Sequence, residues 1–237
     1  MPTIQARRRA GWLLGAGRGL LDVVLDVRCL RCGRPGTQWC DSCVRQAWLP
    51  QVVTGSHGLR AVAASPYEGS VRRALIAHKE RGQLGLARPL GFLLARAVSD
   101  LASTGGVLLV PCPSDPAAVR ARGQDHARRV ADHAARVLRR RRFEAGVVVA
   151  LKLTRVVTDQ VGLGYRERWE NRRHTMESRP PPARPQYVII VDDITTSGST
   201  LGEAHRALLM AGWPVLGAAV VARATPPRGL AHGWGLG

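Results

Sequence analysis

Aromatic residues and lysine are scarce in this 237-residue chain. Phe, Tyr and Trp make up 5% of it, and only two of its 35 Lys and Arg residues are lysines. So few aromatic side chains argue against an aromatic-rich binding surface. Neither Lys79 nor Lys152 follows a glycine, so the Gly-Lys-Ser/Thr sequence of a phosphate-loop ATPase is absent.

Long apolar runs are also absent. None reaches the ~18 residues of a membrane-spanning helix, so we predict a soluble protein without a transmembrane segment. The basic run Arg7–Arg9 precedes an apolar stretch, as in a signal peptide, but Asp22 and Asp26 interrupt that stretch and no small-residue cleavage site follows. Residues 11–27 instead have the spacing of an amphipathic helix, which either packs on the protein body or contacts a membrane surface.

The charge is strongly one-sided. The formal net charge is +18 and the sequence pI is about 11.4. Such a balance favours nucleic acid, membrane surfaces or phosphorylated ligands as partners. Because the excess is almost entirely arginine in a chain rich in Ala, Gly and Val, coding bias explains it equally well.

Four of the five cysteines form two closely spaced pairs, followed by Cys112 alone. This pattern does not resemble a secreted disulfide framework and favours a reducing cytoplasm. Two Cys-x-x-Cys pairs can present four thiolates tetrahedrally, and Zn²⁺ is the usual ion for such a set. Because sulfur fills all four positions, we predict a structural zinc site rather than a catalytic one. Its ligands are Cys29, Cys32, Cys40 and Cys43.

From about Gly58 the pattern alternates between strands and helices, which predicts an α/β domain with a parallel sheet. Strands are predicted at 59–64, 107–111, 147–153, 187–191 and 215–222. Helices are predicted from about Gly69 to about His78, at 84–101, and from about residue 120 to Arg142. A last helix is predicted to continue over residues 203–211. The arginines of the helix ending at Arg142 form either a solvated face or a stripe for nucleic acid.

The segment from Tyr187 to Leu201 organises the domain. Its apolar residues predict a buried parallel strand, and the chain is expected to turn at Asp192 and Asp193 into a loop rich in hydroxyl groups and glycine. A helix beginning there would offer unpaired N–H groups and a favourable dipole to a phosphate. Two carboxylates beside such an anion site indicate a ribose phosphate, or alternatively a magnesium site of a nucleotide hydrolase or receiver domain.

This segment resembles the phosphoribosyl-diphosphate (PRPP) signature of type I phosphoribosyltransferases: an apolar strand, two acidic residues and a Thr/Ser/Gly loop. The resemblance implies that Asp192 and Asp193 hold the ribose hydroxyls and act in catalysis. It also implies that the 5′-phosphate binds to the loop residues Thr195, Thr196, Ser197, Gly198, Ser199 and Thr200.

The diphosphate of PRPP requires cations. The basic turn of Lys79, Arg81 and Gly82 is the candidate for binding it and stabilising its departure, with Mg²⁺ as the accompanying cofactor. Taken alone, the same turn is equally a solvated helix end. The arginine-containing segment 155–172 is a candidate flap over the ligand.

The order of motifs over nearly the whole chain is similar to the ComF/GntX-like family of phosphoribosyltransferase-like proteins. The resemblance implies a zinc-binding N-terminal module and an association with DNA uptake or use of internalised DNA, with DNA-uptake proteins as partners. Where the family often has Phe-Asn-Gln, this chain has Gln124-Asp125-His126, so His126 either replaces an amide donor or is a surface histidine. The predicted divisions are an N-terminal helix (1–28), a zinc module (29–57), a phosphoribosyltransferase-like domain (58–224) and a disordered tail (225–237).

Two functions follow from these features. The first is a transferase or PRPP-binding protein, in which Asp192, Asp193, Lys79 and Arg81 carry catalysis. The second is a non-enzymatic protein that binds single-stranded DNA or serves as an adaptor of the competence machinery. The sequence does not identify the acceptor.

Overall fold

The computed structural model describes residues 27–54, 58–102, 106–154 and 174–225. The predicted N-terminal helix, the segment 155–172 and the C-terminal tail fall almost wholly outside these ranges. The described residues form two compact units, with the boundary in the chain between Gln46 and Ala47. The predicted domain limits remain predictions.

The first unit is small. Its one described helix, α1, spans Asp41–Gln46. Before α1 the chain folds back on itself, since Arg28 pairs with Pro35 and the N–H of Cys29 donates to the carbonyl of Arg34 at 2.8 Å. Gly33 has φ +73°, which a residue with a Cβ rarely adopts, so a glycine suits this turn.

The second unit alternates strands and helices. In chain order its described elements are β1 (Gln51–Thr54), β2 (Arg60–Pro66), α2 (Gly69–Glu80), a short 3₁₀ turn (Leu84–Leu86), α3 (Ala87–Ser99), β3 (Gly106–Pro111), α4 (Pro116–Arg122), α5 (His126–Arg140), β4 (Glu144–Val147), β5 (Leu151–Leu153), β6 (Met176–Ser178), β7 (Val188–Thr195), α6 (Ser199–Met210) and β8 (Val215–Arg223).

Six strands form the main sheet in the order β1-β2-β8-β7-β3-β4. All its neighbours are parallel except the antiparallel pair β1–β2, while β5 and β6 form a separate antiparallel pair. The central strands are nearly all apolar because both of their faces are covered. The fold is therefore the predicted α/β class, a mostly parallel sheet flanked by helices with an N-terminal cluster of four cysteines.

The two faces of the sheet carry different helices. Val188 and Ile190 of β7 pack in one core cluster with Leu201 and Leu208 of α6. Because side chains alternate along a strand, Ile189 points to the opposite face, where α3 and α5 pack. These two helices pack very closely: a Cβ added at Gly91 of α3 would lie 2.5 Å from the Cβ of His133 on α5.

Three local predictions are wrong. The strand β7 does not end at Val191 but continues through Asp192 and Asp193 to Thr195, in register with β8. The predicted basic helix is two helices, because Gly123 adopts the left-handed conformation with φ +70° between α4 and α5. The strand predicted at 147–153 is likewise divided, between β4 and β5.

Candidate functional site

The candidate site lies where the parallel strands end. β7 delivers Asp192 and Asp193, and the chain then passes through residues 196–198 into α6. In open parallel sheets ligands bind beyond the carboxyl ends of the strands, because loops there converge from several strands. The sheet thus places the acidic pair and the loop before α6 at the edge where a ligand is expected.

The two aspartates face different surroundings. By the alternation of β7, Asp192 shares the α6 side with Ile190, and Asp193 shares the opposite side with Val191. The backbone N–H of Asp193 donates to Oδ1 of Asp192 at 2.8 Å. Burial, and next the negative charge of Asp193, raise the pKa of Asp192 well above its ordinary value.

A lysine reaches Asp193 from a distant part of the sequence. Lys79 stands in the last turn of α2, and its Nζ is 3.8 Å from Oδ2 of Asp193. The lysine is 43% exposed and the aspartate 17% exposed. The structure therefore brings together one cation and one carboxylate of the predicted site, with the lysine still open to solvent.

The rest of the predicted basic turn stands further out. Arg81 is the exposed C-cap of α2, and Gly82 follows it with φ +63°. Within the described ranges no ion pair joins Arg81 to either aspartate. Its exposed guanidinium is thus available to a ligand.

The loop before α6 has the features of an anion site. Gly198 is the N-cap of α6 with φ +74°, and as a glycine it has no side chain to bond the amides of the first turn. The N–H of Ser199 donates to the Oγ of Ser197 at 3.4 Å. The Oγ of Ser197 donates to the Oγ of Ser199 at 3.0 Å. Thr195 and Ser199 are buried, Thr196 is exposed, and Ser197, Gly198 and Thr200 are half-buried.

Sequence reasoning missed two buried histidines near this edge. His78 precedes Lys79 on α2, and His126 begins α5; their ring centroids are 4.9 Å apart. His126 is only 3% exposed, so its interpretation as a surface histidine is wrong. The signal was present, because Val71, Leu75 and His78 lie on the buried stripe of α2.

A second missed group fixes the chain after the segment 155–173. The buried carboxylate of Glu203 on α6 accepts the N–H of Met176 at 3.1 Å and is bonded by Arg206 at 2.8 Å. Arg206 also donates to the carbonyl of Met176 at 2.9 Å. This network ties β6 to α6.

In the first unit, the four cysteines converge. Their sulfur atoms all lie within 4.8 Å of one another. The Sγ of Cys40 is 3.7 Å from the Sγ of Cys29 and from that of Cys32. With zinc–sulfur bonds of about 2.3 Å, a tetrahedron has sulfur–sulfur edges of about 3.8 Å, so these spacings fit the group.

Hydrogen bonds around the cysteines also suit a metal ion. The N–H of Cys40 points to the Sγ of Cys29 at 3.4 Å. The hydroxyl of Ser42 foremost lowers the pKa of Cys40 to about 6, whereas burial foremost raises that of Cys43 to about 12. The cluster can hold a metal ion such as zinc, with no ligand position left for a reacting water.

No family model and no curated protein matches the chain. Among solved structures, it is similar to an adenine phosphoribosyltransferase, with 12% identity, coverage of 76% of this chain and 88% of that chain, and a TM-score of 0.31. It is also similar to orotate phosphoribosyltransferases from Aeropyrum pernix (19% identity, 76% and 89% coverage, TM-score 0.28) and Mycobacterium tuberculosis H37Rv (15%, 77% and 91%, 0.31). The likeness is distant, so the functional argument depends on the residues of this chain.

Among the described residues, no helix combines the length and apolar character needed to cross a membrane.

Proposed function

We propose that this protein binds PRPP or a related ribose phosphate at the carboxyl edge of its sheet. The observation that carries the proposal is the convergence of three groups: the carboxylates at the end of β7, the glycine-capped start of α6, and Lys79 at 3.8 Å from Asp193. Carboxylates accept hydrogen bonds from ribose hydroxyls, and a helix start favours a phosphate. The position of these groups at one edge of the sheet suits a ligand that carries both hydroxyls and a phosphate.

In the transferase form of this proposal, the bond between C1 of the ribose and the diphosphate oxygen breaks, and a nucleophile of the acceptor bonds to C1. The diphosphate keeps the electron pair of the broken bond. Asp192 and Asp193 orient the sugar through its hydroxyls, and residues Thr195–Thr200 hold the 5′-phosphate. Lys79 and Arg81, beside Gly82, stabilise the departing charge.

Mg²⁺ belongs to this chemistry as a complex with the substrate. It is a hard ion that binds phosphate oxygens and keeps several waters, so it would arrive on the PRPP diphosphate. When bound, it neutralises charge on that leaving group. The exposed Lys79 and Arg81 then need to balance only the remaining charge.

The finer assignment is membership of the ComF/GntX-like family with a zinc-bound module and a role in DNA uptake. The sequence order of a four-cysteine module, the Lys79 turn and the Asp192–Asp193 strand supports it. The distances of 3.7 Å from the Sγ of Cys40 to the Sγ atoms of Cys29 and Cys32 support zinc as the ion.

Isothermal titration with PRPP and Mg²⁺ tests the proposal. The double variant Asp192→Asn/Asp193→Asn removes both carboxylates but keeps their size, and hydrogen bonds to charged groups contribute about 1.5–3 kcal/mol each. Two such bonds sum to about 3–6 kcal/mol, so we expect affinity to fall by about 100-fold or more. Asp100→Asn, at the exposed end of α3, is the matched control and should bind normally.

Release of diphosphate in the presence of PRPP separates turnover from binding. Release that the double variant abolishes supports a transferase. Absence of PRPP binding by the wild-type protein overturns the proposal altogether.

A second candidate function is binding of single-stranded DNA. An open groove of about 460 Å³ between α4 and α5 is lined in part by Arg128, Arg129 and Arg136. Arg128 and Arg136 are exposed. Guanidinium groups along a helix suit phosphates of a nucleic-acid backbone.

The salt dependence of affinity tests this function. Each lost phosphate contact should reduce the slope of log affinity against log salt by about 0.7 for a single strand. We expect Arg128→Ala/Arg136→Ala to make the slope shallower and to leave PRPP binding unchanged. A slope equal to that of the wild-type protein would remove the groove as the DNA site.

A further inference from the structure

The buried histidine pair is the least expected feature beside the candidate site. His78, in the last turn of α2, is 2% exposed, and His126, at the start of α5, is 3% exposed. The rings meet edge to face, with an interplanar angle of 81°. Two imidazoles thus share one buried space next to the helix end that carries Lys79.

The hydrogen bonds of the pair are incomplete. Nδ1 of His78 lies 3.3 Å from the carbonyl of Gln83, which can only accept, so Nδ1 carries the proton and Nε2 is an unprotonated acceptor. Among the described residues, neither this Nε2 nor either ring nitrogen of His126 has a hydrogen-bond partner. The same holds for Oε1 of Gln124 and Nε of Arg122, in the turn before α5.

So many buried polar atoms without hydrogen-bond partners lower the stability of the fold. Each buried polar atom without a partner costs about 1–3 kcal/mol, and native structures contain few of them. Apolar side chains of similar size would fill this space without that cost. Groups of this kind that lie beside a candidate site indicate a role in ligand binding.

The charges around the pair are mixed. Lys79 extends from α2, Arg122 from α4, and Arg129 and the titratable His133 from α5, while Asp193 on β7 supplies the negative charge. Burial foremost lowers the pKa of both histidines below 6.5, and Asp193 only partly opposes this. Without an added anion, burial therefore favours the neutral form of both rings.

We propose that His78 and His126 are a proton-accepting pair for the anionic end of the ligand, and that a diphosphate group bound beside Lys79 draws a proton from solvent onto the pair. The inference rests on the proposed function, because it needs an anion at the Lys79 end of the site. The proton adds to a free ring nitrogen, and the second ring stays neutral because two adjacent buried cations repel each other.

This arrangement has a physical advantage over a permanent buried cation. A charge held in the protein interior without a counterion is expensive. A pair of histidines supplies the positive charge only while the anion is present. By linkage, affinity for the anion then rises as pH falls, by up to about tenfold per pH unit for one proton taken up.

Histidine ring NMR on the full-length protein tests the inference without any substitution. We expect His78, His126 and His133 to titrate below the ordinary range in the free protein, and His78 or His126 to titrate at higher pH once inorganic diphosphate is added. If calorimetry shows that diphosphate binds while the histidine titrations stay unchanged, this inference alone is overturned. Failure of both diphosphate and PRPP to bind removes the proposed function, and this inference with it.

Variants identify the residues. His78→Asn keeps a donor near Nδ1, and His126→Gln keeps an amide in place of the ring, but neither side chain titrates. Calorimetry in two buffers of different ionisation heat should show fewer protons taken up per PRPP bound than for the wild-type protein, and a shallower rise in affinity from pH 8 to pH 6. Protonation of PRPP itself is the same in every protein, so it cancels from the comparison.

The control is His174→Asn. His174 is exposed and has φ +57°, a conformation that asparagine tolerates. The His174→Asn variant should take up as many protons per PRPP bound as the wild-type protein does. Equal proton uptake by the wild-type protein, the control and both pair variants contradicts the proposal.

Discussion

Asp192 and Asp193 are adjacent in sequence, yet their side chains serve different sides of the sheet. Asp193 is bridged to Lys79 at 3.8 Å. Asp192 accepts the backbone N–H of its neighbour and has a raised pKa, because burial opposes its ionisation. One carboxyl is thus balanced by a cation, whereas the other destabilises the fold when it ionises.

Replacing Asp192 therefore has a pH-dependent effect on stability. A carboxyl with a raised folded-state pKa contributes its full stability only below its unfolded pKa, and the contribution is lost as pH rises through the folded pKa. An amide at this position cannot ionise, but its oxygen still accepts the N–H of Asp193. We expect Asp192→Asn to unfold at a higher temperature than the wild-type protein at pH 8, with a smaller difference at pH 4.

Thermal unfolding followed by circular dichroism measures this difference. Asp100→Asn, at an exposed position, should change little at either pH. A melting temperature for Asp192→Asn that falls at pH 8 would contradict the burial argument.

Side-chain type and spacing predicted the acidic pair, the hydroxyl loop and the four cysteines. They did not predict the histidine pair as a pair, because His78 and His126 lie on different helices and meet only through the packing of the domain. The periodic stripe on α2 marked His78 as buried. The ring that meets it, His126, starts a different helix more than 40 residues later, and no local pattern encodes such a contact.

Among the helices and strands, α6 has two tasks. Its first turn faces the candidate phosphate site, and Glu203 in its second turn holds β6 through Met176. Burial alone would raise the pKa of Glu203, but hydrogen bonds from Arg206 and from the N–H of Met176 outweigh burial and lower it. The early turns of α6 and the strand β6 are therefore joined by one buried carboxylate.

Glu203→Gln is expected to destabilise the protein by about 2 kcal/mol, because it leaves Arg206 without its charged partner in a partly buried network. Glu177→Gln breaks an exposed pair with Lys152 and should cost less than about 1 kcal/mol. Chemical denaturation at pH 7 compares the two.

The contribution of Glu203 to stability depends on pH with the opposite sign to that of Asp192. A lowered folded-state pKa gives stability above the unfolded value, and that stability is lost as pH falls through the folded pKa. The difference in free energy of unfolding between the wild-type protein and Glu203→Gln should therefore become smaller in acid. Equal costs for Glu203→Gln and Glu177→Gln at pH 7 would show that burial of this network adds nothing.

The order of elements in the domain was largely predictable, because parallel strands read as apolar runs between amphipathic helices. Boundaries were not. Aspartate is uncommon in strands, so a turn was predicted at Asp192, but pairing with β8 continues the strand to Thr195. Likewise, the left-handed conformation of Gly123 divides a basic stretch that looked like one helix.

Across the complete chain, the four-cysteine unit should depend on its metal. The described part of this unit, from residue 27 to Gln46, has one short helix and few buried apolar side chains, and structural zinc supplies much of the folding free energy in small units of this kind. We expect about one zinc per chain by elemental analysis. Cys40→Ser should lower that content, and amide exchange over residues 29–46 should accelerate.

Cys112→Ser is the matched control for this experiment, because Cys112 is buried at the end of β3 and is not a member of the cluster. It should retain the zinc. A well-ordered, metal-free wild-type protein would overturn the zinc assignment.

The strand order has a consequence during synthesis. The two central strands, β8 and β7, are the last of the sheet to leave the ribosome, whereas β1, β2, β3 and β4 precede them. Until Val188 and the residues after it emerge, the nascent domain holds two strand pairs with no ladder between them. Completion of the sheet and assembly of the pocket are therefore one late event, and a chain halted before β7 would expose two apolar strand edges to aggregation.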